Sequence, residues 1–431
     1  MKRFLKWLWT WSRRAALLLF LCFVVLYLFL MVRSKIPVAV HDEALQLEKA
    51  SLPVGSNAYY ALQAAASQVW WPDQDRLHLE NDLVNGTNWD SDFANAFIES
   101  NRMTLVTWDA AAKLNDCKMP EVKFGDPSSY LDYWRNLSWL SVVRGKSDFY
   151  NGRVKEAFDE MVQQVGLGRR VANSDGDLGH YLYGYSISER ALDAMRHWLG
   201  TTNLNPEQLK EYIGQLDLLA RDGQEIFVNA IKSEYQVHVR FIDDFKLSML
   251  TDEQPGEFIL RPRWWWPTLN RSKTKVLFAG VYQMLLNDAT LPYSEAKSQD
   301  FNQRPGILAL ALSGNMVGES FYFMDAPASK NFLQRKASAD VSIQATRTLM
   351  ALRAYQLTHG KLPDDLSALI PEFLDKVPVD DFNGQPLHYS AAGKIIYSVG
   401  KNLKDDGGDD RGQEESNSAE RHLDKVFRFN F

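Results

Sequence analysis

Four aspartates lie within six residues near the end of the chain, Asp405-Asp406-Gly407-Gly408-Asp409-Asp410. Carboxylates are hard oxygen ligands, and calcium takes about six to eight oxygens at roughly 2.3–2.6 Å. An acid-rich loop whose glycines permit a tight backbone is therefore a candidate structural calcium site made by Asp405, Asp406, Asp409 and Asp410. The plainer reading is a solvated acidic loop whose charge is offset by Lys401, Lys404 and Arg411. No EF-hand spacing is present, and the span from Lys401 to Leu423 exceeds the roughly 12–15 residues beyond which a loop is usually functional or disordered.

Other residues able to do chemistry are dispersed. The eight histidines include no His-Glu-x-x-His pattern and none at ligand spacing from another His or Cys, which argues against a zinc enzyme. Ser272-Lys273-Thr274-Lys275 has the Ser-x-x-Lys spacing in which a lysine activates a serine, but the partner Lys-Thr-Gly element is missing, and so short a pattern arises by chance. The acid pairs Asp243-Asp244 and Asp380-Asp381 are sequence neighbours, which do not face one another on a regular element; they are expected to solvate a surface or pin a turn. There is no Gly-x-Ser-x-Gly elbow, phosphate loop or dinucleotide fingerprint. The expectation is a protein without catalytic residues, and the rival is a hydrolase whose site is scattered along the chain.

Charge and composition narrow the partners. A net charge of -6 gives no general attraction to phosphate backbones, which excludes nucleic acid as the main partner. With 45% hydrophobic residues over 431, the chain can bury a sizeable core. Cys22 lies in an apolar run, which leaves Cys117 as the only soluble thiol and no internal disulfide.

That apolar run, residues 15–32, carries no charge and approaches the roughly 20 residues that cross a ~30 Å hydrocarbon core. Lys2, Arg3, Lys6, Arg13 and Arg14 precede it, and the chain turns acidic at Asp42, Glu43 and Glu48. This bias predicts a cytoplasmic segment over residues 1–14, a single-pass anchor and an external bulk. Arg33 and Lys35 occupy the place where a cleaved signal peptide would need small residues, so the anchor is expected to be uncleaved.

Residues 40–335 read as a helical body. Tyr130, Trp134, Leu137, Leu140 and Val143 form one stripe, and Val154, Phe158, Met161, Val165 and Leu167 the next. Asn205-Pro206-Glu207-Gln208 is a helix start, with an N-cap, a proline at the first turn and an early acid. Gly152 followed by Ala157 is weakly tetratricopeptide-like, but no 34-residue period is sustained, so an irregular array of α-hairpins is expected, a type of surface that binds partner proteins. Arg261-Pro262-Arg263-Trp264-Trp265-Trp266-Pro267 is read as a proline-bounded loop packed on the body, against the alternative of a membrane-interface segment. Lys275–Leu286 and Pro305–Met316 are expected as two short helices.

From Ser338 the pattern predicts a small α+β module: a helix over Ser338–Thr358 ended by Gly360 and Pro363, a short helix over Asp364–Phe373, and strands near Leu387–Tyr389, Ile395–Val399 and Val426–Phe431. The last strand should place Phe427, Phe429 and Phe431 on one face.

The order His359-Gly-x-x-Pro363, a Leu-rich turn, Val377-Pro-Val-Asp380, Gly384-Gln-Pro386, Tyr397-Ser-Val-Gly400 and an Asp/Gly loop resembles the globular domain of type II secretion major pseudopilins. The resemblance covers residues 338–431. It implies the local fold, a calcium loop at Asp405–Asp410, and a bacterial inner-membrane protein with a periplasmic bulk, linked to secretion or pilus-type machinery through an envelope protein partner. A prepilin signature is absent, and the module is far from the membrane helix, so assembly into a pilus by that route is not expected.

Overall fold

In the computed structural model of the chain the described residues are 2–71, 83, 89–120, 129–246, 268–296, 307–325, 329–410 and 424–431. The Trp264–Trp266 segment lies outside them. The described chain is mainly helical, with one three-stranded antiparallel sheet in the order β1-β2-β3.

Helix α1 (Lys2–Arg33) is apolar around its whole circumference over residues 15–32, and Trp9–Arg33 is long and apolar enough to cross a membrane. A charge-free run of Leu, Phe and Val has no polar face to turn outward. The body then comprises α2 (Ala58–Ala66), α3 (Ser91–Ser100), α4 (Arg102–Lys113), α5 (Ser129–Tyr150), α6 (Val154–Ala172), α7 (Leu178–Trp198), α8 (Pro206–Arg221) and α9 (Gly223–Asp244). The turn Asn151-Gly152-Arg153 joins α5 to α6, which pack together, although the first stripe is buried in two smaller apolar clusters and most of the second in the main one. Trp134, Leu137, Leu140 and Val143 are buried on one, Phe158, Met161, Val165 and Leu167 on the other. α6 crosses α7 where Gly168 meets Gly184. A Cβ on Gly168 would stand 2.5 Å from the Gly184 carbonyl oxygen, so these two backbones touch only because neither residue has a side chain. The cap read at Asn205 is complete: its Oδ1 accepts from Gln208 N at 2.9 Å and Gln208 Oε1 accepts from Asn205 N at 2.9 Å.

Several expected boundaries move for local reasons. The helix expected at Lys275 begins earlier, as α10 (Arg271–Asp288), because Asn270 accepts from Lys273 N and caps it. In place of one helix over Pro305–Met316 there are α11 (Ile307–Leu312) and α12 (Met316–Asp325), parted at Gly314, whose φ is +71°. The helix of the C-terminal module is α13 (Ser329–His359), which starts before Ser338 and packs along α7 and α8. The expected short helix is a single 3-10 turn, Leu366–Leu369, capped by Asp365; Pro371 has no N–H to extend it.

Strands β1 (His388–Ser390), β2 (Ile395–Ser398) and β3 (Lys425–Arg428) pair with Tyr389 opposite Ile396 and Ile396 opposite Phe427. Phe427, Phe429 and Phe431 are all buried, and the rings of Phe429 and Phe431 stack 4.7 Å apart. One apolar cluster runs from Leu45 through the helices to Phe431, so sheet and helices share a core.

Asp380 of the Val-Pro-x-Asp motif fastens this sheet. It is fully buried, and its carboxylate accepts from Ser398 Oγ (2.8 Å), Phe382 N (2.9 Å) and Val399 N (2.9 Å), while its own N–H donates to Gln385 O (2.7 Å). Charge-assisted bonds to a buried carboxylate leave several donors orphaned when it is removed. Asp380→Ala is expected to cost about 3 kcal/mol of stability, read as a lower thermal midpoint of the detergent-solubilised chain. An unchanged midpoint would mean that other groups fasten the turn.

Candidate functional site

The acidic loop leaves β2 and returns towards β3. Gly400–Asn402 forms a 3-10 turn and Leu403 takes φ 59°. Gly407 and Gly408 then adopt φ 72° and 81°, and a Cβ on Gly408 would also collide with Ile395 Cδ1. These reversals fold the backbone over Asp424, the residue that opens β3 and is fully buried. Its carboxylate accepts from Asp406 N (3.1 Å) and Gly408 N (2.8 Å).

The four nominated aspartates have different work. Asp405 Oδ1 accepts from Gly407 N (2.9 Å) and Tyr397 Oη (3.2 Å), and His388 Nδ1 lies 3.6 Å from its other oxygen. Asp406 Oδ2 accepts from Asn402 Nδ2 at 2.9 Å. Asp410 is held by both guanidinium ends of Arg428, at 2.7 and 2.9 Å, which keeps its carboxyl below the usual carboxylate range. Asp409 stands beside it, partly buried. Among the described residues no group of three or more His, Cys, Asp or Glu side chains is arranged to hold a metal ion. The acid that organises the loop, Asp424, is one that sequence reading did not nominate. Its only signal was an acid at the mouth of the last strand. Burial raises its pKa, against the pull of the two N–H donors.

Two further polar clusters were not legible in the sequence. His180 is buried, its Nδ1 2.7 Å from Asp177 Oδ1 and its Nε2 2.5 Å from Tyr130 Oη. Asp177 also accepts from His180 N as the N-cap of α7, so this chain of bonds secures a helix start against α5. The second cluster joins α13 to the turn after Asp380: Lys336 Nζ is 3.0 Å from Asp340 and 3.8 Å from Asp381. Burial opposes the ammonium charge, but the two acids outweigh it and hold Lys336 above the usual lysine range. Asp381 is pushed up to about 7, first by burial and then by the charge of Asp340, against Lys336.

Ser272 and Lys275, whose spacing suggested a nucleophile and its activator, have separate partners. Ser272 Oγ donates to Asn270 Oδ1 and accepts from Val38 N, while Lys275 pairs with Asp243 at 2.7 Å. His359 ends α13, stacked on Tyr355, with Nδ1 3.1 Å from the Tyr355 carbonyl oxygen. Among the described residues one cavity, of about 20 Å³, is enclosed by Arg169, Tyr181, Tyr185 and Ser188 and has room for roughly one water molecule. A larger one, of about 470 Å³, opens where α1 meets α10. No protein-family model, no curated protein and no solved structure matches this chain.

A carboxyl whose folded-state pKa lies above its unfolded value binds its proton more tightly when folded, so it costs nothing below the ordinary aspartate value of 3.8, costs progressively more as pH rises from there to about 7, and its full cost is present above that. Asp381→Asn removes this cost. The substitution is expected to raise the thermal midpoint at pH 8 by a few degrees and to leave it unchanged near pH 3, below the ordinary aspartate value, with Lys336 still held by Asp340. An equal effect at both pH values would exclude titration of Asp381 as the cause.

Proposed function

We propose that this protein is a single-pass, membrane-anchored envelope protein that works by binding another envelope protein, with its helical body as the binding element. The observation that carries the reading is the apolar surface left open on the body: Met103 and Val106 are 62% and 56% exposed at i, i+3 spacing on α4. Trp70, half exposed, is tied through its backbone to Asn101 at the start of that helix. Large apolar side chains offered at helical spacing are what a partner helix or sheet buries. A tetratricopeptide-like array would present them in the same manner. The N-terminus of the anchor is cytoplasmic and the body is periplasmic in this reading, by the distribution of basic residues.

A photo-crosslinking amino acid placed at Met103 or Val106 in living cells is expected to yield a discrete adduct that is missing when the probe replaces Lys155, an exposed residue of α6. Equal adducts from all three positions would sink the assignment of this face.

The C-terminal module, with its resemblance to major pseudopilins, connects the protein to secretion or pilus-type assemblies, and its loop is a structural calcium site in this reading. Asp405, Asp406 and Asp409, with loop carbonyls, supply oxygen ligands; Asp410 would have to release Arg428 to join them. Melting of the full chain in calcium against a chelator checks this: a bound ion raises the midpoint with concentration, and superimposable curves would remove calcium from the account.

A further inference from the structure

The end of α1 is built into the body. Arg33 Nη1 donates to Leu312 O (3.3 Å), Asn270 Nδ2 donates to Ile36 O (2.7 Å), and Val38 N donates to Ser272 Oγ (2.9 Å). These bonds draw the chain leaving the apolar helix across the start of α10 and leave a cavity of about 470 Å³ between the two. That volume lies within the ~300–1,000 Å³ typical of small-molecule sites.

Its lining is divided by chemistry. Met31, Pro37 and Leu269 give an apolar side; Lys35, Arg271 and the hydroxyls of Ser34 and Ser272 give a polar one. Arg271 is fixed by donating Nε–H to Ile242 O (3.1 Å) and Nη2–H to Phe245 O (2.8 Å), carbonyls that hold the guanidinium without cancelling its charge. Lys35 lies two residues beyond Arg33, the last residue of the membrane-length helix, at the depth where hydrocarbon gives way to headgroups. Two cations at headgroup level, beside an apolar wall that continues into the bilayer, match a molecule that is anionic at one end and apolar at the other; the hydroxyls of Ser34 and Ser272 are already spent on Met31 O and Asn270 Oδ1.

We propose that this cavity binds one anionic glycerophospholipid from the leaflet at the C-terminal end of α1, with its phosphate between Lys35 and Arg271 and its acyl chains along Met31. The proposal rests on the reading of α1 as a retained membrane anchor. A bound lipid there would set the height and tilt of the body over the membrane, and so the presentation of α4 to a partner.

Native mass spectrometry of the full chain, purified in mild detergent with phosphatidylglycerol or phosphatidylcholine, tests it. One phosphatidylglycerol per chain is expected, with occupancy lowered about tenfold by Lys35→Glu and unaltered by Lys246→Glu, an exposed control. Lys35 is solvent-exposed, so the thermal midpoint of Lys35→Glu should match that of the parent chain. Equal retention of both lipids, undiminished occupancy in Lys35→Glu, or displacement by millimolar glycerol phosphate would each overturn the lipid site, the last in favour of a soluble anion. Intact mass in the same spectra separates the two readings. A chain lacking α1 overturns the anchor and the lipid site together, whereas a full-length chain that keeps no lipid overturns the site alone.

Discussion

Arg196 is the charge around which this architecture closes. It sits near the end of α7, almost without exposure, paired with Glu189 (2.9 Å) and Asp193 (3.1 Å) on its own helix. Its Nη1 also donates to Ser342 Oγ and Thr346 Oγ1 on α13, both at 2.9 Å, and the guanidinium lies 5.2 Å from the ring centroid of Phe427 on β3. Body helix, module helix and sheet thus meet at one cation. Burying such a charge is costly, and the attraction of its partners offsets the cost only when every donor finds an acceptor in good geometry. The arrangement therefore selects one docking of the sheet on the helices. Lys425 repeats the device two residues along the strand from Phe427, donating to Ser338 O and Oγ at 2.9 and 2.8 Å.

The acids of the C-terminal region serve the same end by a different route. Asp380 and Asp424 are both fully buried and both spend their oxygens on backbone N–H groups, of Phe382 and Val399 in one case and Asp406 and Gly408 in the other. Turns that leave a sheet carry donors with no strand partner, and a carboxylate can accept several of them at once. The Asp/Gly loop is therefore first a device for returning the chain to β3. Any ion there would act on a loop already shaped by Asp424.

Much of the helical body was legible because burial on one side of a helix imposes a period that side-chain types report directly. The Trp134–Val143 and Phe158–Leu167 stripes are buried, and the Asn205 cap is made by local atoms alone. The phenylalanine alternation marks buried positions for the same reason, although β3 ends at Arg428 and only Phe427 of the three lies on it. Adjacent acids were harder to read: Asp380 and Asp381 are neighbours in sequence, yet one is locked in a turn and the other faces Lys336 on α13. The His180–Tyr130 contact joins residues on different helices, and spacing along the chain carries no trace of it.

What the sequence by itself determined is local: an apolar span, helical stripes, caps, a strand-rich end and a cluster of acids, all set by neighbours within about one or two helical turns. What only the tertiary structure decided is which distant groups share a place. It put Lys35 and Arg271 on the lining of one cavity, Arg196 against the ring of Phe427, and Asp424 under the loop whose aspartates had drawn attention. The physical reason is that a charge or cavity acquires its meaning from the groups within a few ångströms of it in space, and chain order specifies those only after the core has packed.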